Sequence, residues 1–459
     1  MIEPINPSRV ATTSVATPPA KTAHAAELAT FYSSCDAAAR LGIRRATLYS
    51  YVSRGLLKAH PTINARERRY RAGDVAQLAQ QLSSRRNPHA VAKRSLDFGL
   101  PVVDSAIGLI ARGRLYYRGA DAVSLARTQS VEEVATWLWQ AHAEIAFPDR
   151  DAWLATAGLQ AARQSGVRAG TRRFDASIDS ASSLLSAFAV SGTRVPMLTA
   201  SEREQRPHLE YGRLVRVLAA CLLRRRPSTA PLHQQCARAW RLDPHEASQV
   251  RTALVLCADH ELNASTFTVR CVASTGASLS AALLAGLAAL SGDRHGGVTE
   301  RVESMLDALP SARARTMPYL RSAVSRGVLP GFGHPLYPEG DVRAAAILDG
   351  MSRRNAIWRR VSSQVEQLTG LQPSLDFALV ALRRELGMPR GSAFGLFALG
   401  RSLGWIAHAL EQRTSGQLIR PRASYSGPLP NPEQKTTERP QAFGSERNVA
   451  AGESTIPPT

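Results

Sequence analysis

The chain is short of the residues that make covalent staples. Only five cysteines occur in 459 residues, Cys35, Cys221, Cys236, Cys257 and Cys271, an odd number with no C-x-x-C pair. That spacing excludes a disulfide framework and a thiolate zinc site, and is expected of reduced, mostly buried thiols in a cytoplasmic protein. Long apolar runs are missing too: no window approaches the ~20 uninterrupted apolar residues that a membrane span requires. The opening stretch MIEPINPSRVATTSVATPPAKTAHAAEL has neither a basic start nor an apolar core, so it does not read as a secretory signal. Residues 1–30 are expected to form a disordered leader, and the polar, proline-rich residues 426–459 a disordered tail.

Acidic residues are the other shortage. Thirty-seven Asp and Glu face 57 Lys and Arg, for a formal net charge of +20. Such an excess attracts polyanions, whether nucleic acid or substrates carrying phosphates and carboxylates. Between Arg40 and Arg71 nine basic side chains are opposed only by Glu67, although LLRRRP at 222–227 shows that arginine is abundant elsewhere. The rest of the composition, 44% apolar and 20% charged, is that of a globular protein with ample chain for a sizeable core.

Within the basic region, Asp36 or Ser34 can cap a short helix, AAARLG, which Gly42 ends. Helical spacing resumes from Arg45 to Arg54, with Leu48, Tyr51 and Val52 on one side. Two short helices joined by a glycine-containing turn form a helix-turn-helix pattern. Arg44, Arg45, Thr47 and Tyr49 then stand near the start of the second helix, where such motifs meet base edges and phosphates. KAHPTINARERRYRAGDV reads as two extended arms with a loop, followed by a helix capped by Asp74. Its arginines, Arg68 and Arg69 among them, are expected to face a DNA backbone. AAARLGIRRATLYSYVSRGLL followed by RRYRAGDV resembles the MerR-type winged helix-turn-helix family, and the module is taken as residues 31–85. A helical docking domain with solvated arginines is the rival reading.

From about Arg94 the chain is expected to be mainly α. ASLSAALLAGLAAL (277–290) and SAFGLFALGRSLGWIAHALEQ (392–412) have helical apolar spacing, and period-two alternation is confined to pieces such as GRLYYRG and RPRASY. Polar chemistry interrupts this body in few places. ADHELNASTFTVR carries Asp259, His260, Glu261 and Asn263. SGDRHGGVTE sets His295 before two glycines, where the missing side chains would let a ligand approach the backbone. PGFGHPLYPEGDVR supplies His334 and Arg343. LDFALV places Asp376 among apolar neighbours, where desolvation raises a carboxyl pKa toward that of a working base, though the residue could equally cap a helix starting at Phe377. Arg401 shares a helix face with Phe397, Trp405 and His408. No two histidines stand at helix-face ligand spacing beside a carboxylate, so no metal is called for. Three histidines, one carboxylate and several arginines suit carbon-acid chemistry on a di- or tricarboxylate.

The ordered series GLPVVDSAIGLIARGRLYYRGADAVSLARTQSVEEVATWLW, ADHELNASTF, ASTGASLSAALLAGLAALSGDRHGG, PGFGHPLYPEGDVRA, LDFALVALRRELGMP, FALGRSLGWIAHALEQ and RPRASYSGP resembles the citrate synthase family. The resemblance implies a mainly α body over residues 94–425, with a small domain at roughly 295–395 inserted in a large one, in a homodimer. It implies that acetyl-CoA or propionyl-CoA condenses with oxaloacetate, with no metal or redox cofactor. Asp376 would be the general base, His295 would hydrogen-bond the forming enol, and His334 would polarise the keto group. His260, Arg343, Arg401 and Arg420 would bind carboxylates, Arg420 across the dimer interface. Three departures stand out: Asp341-Val342-Arg343 for the family's D-P-R, Gly292-Asp293-Arg294 before the HGG motif, and no basic residue in Pro335–Gly340. The alternative is a DNA-binding regulator whose synthase-like body senses CoA or keto acids.

Overall fold

The computed structural model describes residues 31–61, 68–71, 74–75, 78, 103–154, 180–195, 198, 200–206, 208–310, 312, 315–327, 329–351, 357–423, 425 and 427. The expected leader, the linker around 79–102 and most of the expected tail lie outside them. The chain divides into two compact units, Met1–Ile419 and Arg420–Thr459.

The N-terminal module begins with β1 (Phe31–Ser33), α1 (Ser34–Leu41) and α2 (Arg45–Ser53), followed by β2 (His60–Pro61) and β3 (Arg68–Arg71). The two arms pair antiparallel, and β1 adds to β3 to give the order β1-β3-β2. The third strand was not expected, because FYS is too short for any period to show. Ser33, rather than Asp36 or Ser34, caps α1: its hydroxyl accepts from the Asp36 backbone N–H, while Asp36 sits in the first turn. Gly42 ends the helix as expected, at φ 63°. Ala37, Ala38, Leu41, Leu48, Leu57 and Tyr70 close a small core of their own.

The body opens with a hairpin, β4 (Gly108–Ala111) and β5 (Arg114–Tyr117), extended by β6 (Ala120–Asp121). RPRASY, the other candidate extended piece, forms no strand at its described residues. The helices then follow in turn. Among the described residues the first six of the body are α3 (Ala122–Thr128), α4 (Val131–Trp139), α5 (Ala143–Ala146), α6 (Ala181–Gly192), α7 (Ala200–Gln205) and α8 (Leu209–Leu223). After them come α9 (Leu232–Trp240), α10 (Pro244–Cys257), α11 (Ala264–Ser274), α12 (Leu279–Leu290), α13 (Val298–Asp307) and α14 (Thr316–Ser325). The last four are α15 (Val342–Asp349), α16 (Ile357–Thr369), α17 (Leu375–Glu385) and α18 (Ser392–Ser415). Several starts are set by side-chain caps: Ser130 and Asp243 form full capping boxes with Glu133 and Glu246, and Asn263 caps α11.

Helix α18 is the axle of the core. It is the one helix among the described residues long and apolar enough to cross a membrane, yet 94% of that stretch is buried inside the fold. It packs on α10 and α11, and it approaches α10 closely because two of its residues have no side chain. A Cβ on Gly400 would press on Leu254 O, and one on Gly404 would overlap Ala258 O and crowd Asp259. The contact is close enough for the Gly404 N–H to donate to Ala258 O at 3.0 Å. Gly404→Ala is therefore expected to lower stability by about 1–3 kcal/mol or more, since backbone rather than a flexible side chain must move. A thermal melt checks it, and an unchanged midpoint would refute the packing account.

Candidate active site

The approach of α10 to α18 ends in the loop 258–263, which turns polar groups inward. Asp259 is wholly buried; its Oδ1 lies 3.0 Å from His408 Nε2 and its Oδ2 accepts the Glu261 N–H at 3.1 Å. His408 Nδ1 in turn takes an N–H of Arg270 at 3.1 Å. An arginine can only donate, so His408 carries its proton on Nε2 and gives it to Asp259. Arg270 completes the chain with Glu411 at 2.6 Å and Gln412 at 2.9 Å.

The next residue, His260, is 7% exposed, with Nε2 3.1 Å from the Tyr337 hydroxyl. Its ring stands edge-on to His334, with centroids 5.1 Å apart. His334 Nδ1 accepts the Leu336 N–H at 3.2 Å, so a neutral ring carries its proton on Nε2. Burial, reinforced by the Arg343 guanidinium, pulls the His334 pKa down to about 4, and burial together with Arg343 and Arg401 pulls His260 well below the ordinary value. Both rings are neutral near pH 7.

Arg343, also buried, meets Asp341 in a fork: Nε to Oδ1 at 2.9 Å and Nη2 to Oδ2 at 2.7 Å. Asp341 caps α15, accepting the Arg343 backbone N–H, and its Oδ2 takes the Leu375 N–H at 3.0 Å. One carboxylate thereby ties the His334 loop to the start of α17. Its role was not foreseen from the sequence, although an acid two residues before a helix-borne arginine was the available signal.

Asp376 follows in the first turn of α17. It does not cap that helix, which starts at Leu375 after Ser374. Among the described residues the Asp376 Oδ1 is shielded from solvent with no hydrogen-bond partner, and Oδ2 lies 3.4 Å from the Ser374 hydroxyl. Burial raises its pKa to about 6 against the opposing pull of Arg343. A carboxylate so weakly solvated is poised to take a proton.

His295 lies in the turn after α12. Its Nε2 is 2.8 Å from Ser265 Oγ, which is also 2.8 Å from Asn263 Oδ1 and accepts from Trp405 Nε1 at 3.3 Å. Burial, then Arg401, lowers its pKa to about 4. The glycines after it act otherwise than expected: a Cβ on Gly296 would meet Leu290, and one on Gly297 the Gly292 carbonyl, so they serve packing of the turn. Arg401 is 1% exposed, donates Nε to Cys257 O at 2.8 Å, lies over the Phe397 ring and has no carboxylate partner among the described residues. Burial lowers its pKa.

The fold thus gathers six of the seven candidate residues. His260, His334 and Arg343 share Tyr337, Asp376 joins them through Asp341 and Leu375, and His295 and Arg401 meet across Phe397. Arg420 is exposed and falls outside the unit Met1–Ile419 that holds the others. Sequence reasoning missed Ser265 and Tyr337, the first hidden among helix-capping residues and the second read only as part of a loop. Among the described residues no cluster of three His, Cys, Asp or Glu could hold a metal ion.

In the N-terminal module Arg44, Arg45 and Tyr49 are exposed along the first turns of α2, with Thr47 half-buried between them. Arg45 Nη2 donates to Tyr49 Oη at 3.3 Å. Arg68 and Arg69 are exposed on β3.

The chain matches two family profiles: the citrate synthase C-terminal domain over residues 97–422 and a helix-turn-helix domain over 31–83. It is 37% identical over 196 residues to citrate synthase 2 of Bacillus subtilis, a match over 40% of this chain that spans only about half (52%) of that relative. It is 30% identical over 367 residues to the citrate synthase of Haloferax volcanii, covering 73% of this chain and 96% of the other. A ternary complex of carboxymethyl coenzyme A and oxaloacetate with citrate synthase from Thermoplasma acidophilum has the same fold, with a TM-score of 0.58 at 21% identity, over 74% of this chain and 97% of that one. The chain belongs to the citrate synthase family, with a helix-turn-helix domain at its N-terminal end.

Proposed function

We propose that the body condenses acetyl-CoA or propionyl-CoA with oxaloacetate to give citrate or 2-methylcitrate and free CoA. The observation that carries the reading is Asp376: a desolvated carboxylate with one oxygen unpartnered among the described residues, within the field of the buried Arg343. Asp376 would take the α-proton of the thioester. If Ser265 gives its hydroxyl proton to His295 Nε2, Nδ1–H is left to donate to the enol oxygen, while Asn263 Oδ1 keeps the Thr266 N–H. The enol carbon would attack the keto carbon of oxaloacetate, whose oxygen takes a hydrogen bond and then a proton through His334 Nε2. Arg343 and Arg401, with His260, would hold the carboxylates, and Arg420 would add a further contact from a second copy of the chain. Water then cleaves the acyl-CoA product to carboxylate and thiol. Neutral histidines suit both donor roles because no second positive charge has to be balanced in the site. The deciding experiment is thiol release from each acyl-CoA with oxaloacetate. Release above that of Asp376→Asn supports the reading and ranks the donors; none, from folded protein, defeats it.

A second reading rests on the exposed basic face of α2 and β3: the N-terminal module would bind DNA, with Arg44, Arg45, Thr47 and Tyr49 at the major groove and Arg68 and Arg69 on phosphates. Replacing Arg68 and Arg69 by Ala is expected to weaken binding alike for all sequences and to reduce the slope of log K against log salt by about 2, close to one per phosphate contact. An unchanged slope in a salt titration would remove these two residues from the interface.

A further inference from the structure

Tyr337 has no role in the chemistry above, yet it touches three of the groups that would hold the keto acid. Two successive turns, Tyr337 N–H to His334 O at 2.9 Å and Gly340 N–H to Tyr337 O at 3.1 Å, fold it back beneath His334, where it is 2% exposed. Its ring lies 5.2 Å from the His334 ring and 5.6 Å from that of His260, and the Arg343 guanidinium carbon sits 5.2 Å above its centroid. Its hydroxyl is 3.1 Å from His260 Nε2.

We propose that Tyr337 is a positioning residue for keto-acid recognition: it selects the His260 tautomer and holds the plane of Arg343. This rests on the condensation reading. A phenol whose pKa burial has pushed up to about 12 keeps its proton. Among the described residues the hydrogen-bond partner of that hydroxyl is His260 Nε2, so the phenol donates and the imidazole accepts. A neutral His260 must then carry its hydrogen on Nδ1, which has no partner among the described residues and is the nitrogen left for a carboxylate. Arg343 is constrained in the same way. Asp341 grips the Nε and Nη2 edge, the Tyr337 ring supports the face, and Nη1 alone remains without a partner among the described residues. Without the hydroxyl, His260 is free to place its hydrogen on Nε2 and turn a lone pair toward an anionic ligand.

The test uses the full chain and Tyr337→Phe, which keeps the ring and removes only the oxygen. Oxaloacetate binding is measured by calorimetry without acyl-CoA, alongside KM, kcat and the melting midpoint. The expected result is a rise of about tenfold in both Kd and KM for oxaloacetate, as for one lost hydrogen bond to a charged ligand's donor, with kcat within about twofold and an unchanged KM for the acyl-CoA. Tyr337→Leu, which also removes the ring beneath Arg343, should raise the oxaloacetate KM further. If wild type binds oxaloacetate and Tyr337→Phe binds it equally well, the assignment is overturned while the condensation reading stands. A variant that loses kcat and melting temperature with no selective change in oxaloacetate KM also overturns it. Wild-type protein that binds no oxaloacetate overturns both.

Discussion

Asp376→Asn is expected to cut thiol release by about a thousandfold, the scale of a lost general base, while making the protein more stable above pH 6. Both effects have one cause. The carboxyl pKa in the fold is about 6, raised by burial, against an ordinary value of 3.8. Between those two pH values the folded state holds a proton that the unfolded chain has released, so stability falls as pH rises through this window. Above pH 6 the ionised, poorly solvated carboxylate costs the fold up to about 3 kcal/mol, from two pKa units at about 1.4 kcal/mol each. Asparagine has no charge to desolvate. Its advantage in denaturant midpoint should be full at pH 8, shrink as pH falls from about 6 toward 4, and vanish below that. The same pKa predicts an acid limb near pH 6 in the activity of the wild type. His295 and His334, with pKa values near 4, titrate below it. An asparagine variant less stable than wild type at pH 8 would contradict this account of the base.

Asp341→Asn is expected to be the most damaging substitution to the fold of the site, with a loss of about 3–5 kcal/mol. The carboxylate receives four hydrogen bonds: two from the Arg343 side chain, one from its backbone and one from the Leu375 N–H. Burial opposes its ionisation, but Arg343 outweighs burial and keeps its pKa below the ordinary value; in return Asp341 offsets the burial of Arg343 and raises the guanidinium pKa. Removing the negative charge leaves a buried arginine unpaired and frees the start of α17, where Asp376 stands. Chemical denaturation measures the stability loss. A kinetic assay at low temperature, where the variant stays folded, should show raised KM for oxaloacetate as well as lowered kcat. An oxaloacetate KM equal to that of wild type would mean that Arg343 is held without Asp341.

The helices of the body were legible because their apolar spacing is regular, and several starts carry Ser, Asp or Asn caps. The helix-turn-helix was legible from Gly42, whose left-handed conformation ends α1, and from Leu48, Tyr51 and Val52 on one side of α2, where Leu48 is fully buried and the other two pack against the small core. The hairpin at Gly108–Tyr117 showed in alternation only as a possible exception and otherwise through the family resemblance of residues 99–139, and β1 was not seen, since three residues hold less than two periods of alternation. The conspicuous residues of the site, His260, His295, His334, Arg343, Asp376 and Arg401, were legible because each interrupts an apolar or glycine-rich stretch. Their supporting groups were not. Ser265 resembles any helix-start serine, Tyr337 any loop aromatic and Asp341 any cap, and what each does depends on residues 30 to 77 positions away.

The sequence by itself determined the residue types, the two modules and the mainly α body, because period, caps and charge are local properties of the chain. Tertiary structure decided which nitrogen of His334 and of His408 carries its proton, which edge of Arg343 Asp341 grips, and how far Asp376 is removed from water. Those are set by hydrogen-bond direction and desolvation, and both exist only once α10, α17 and α18 have brought distant residues within a few ångströms.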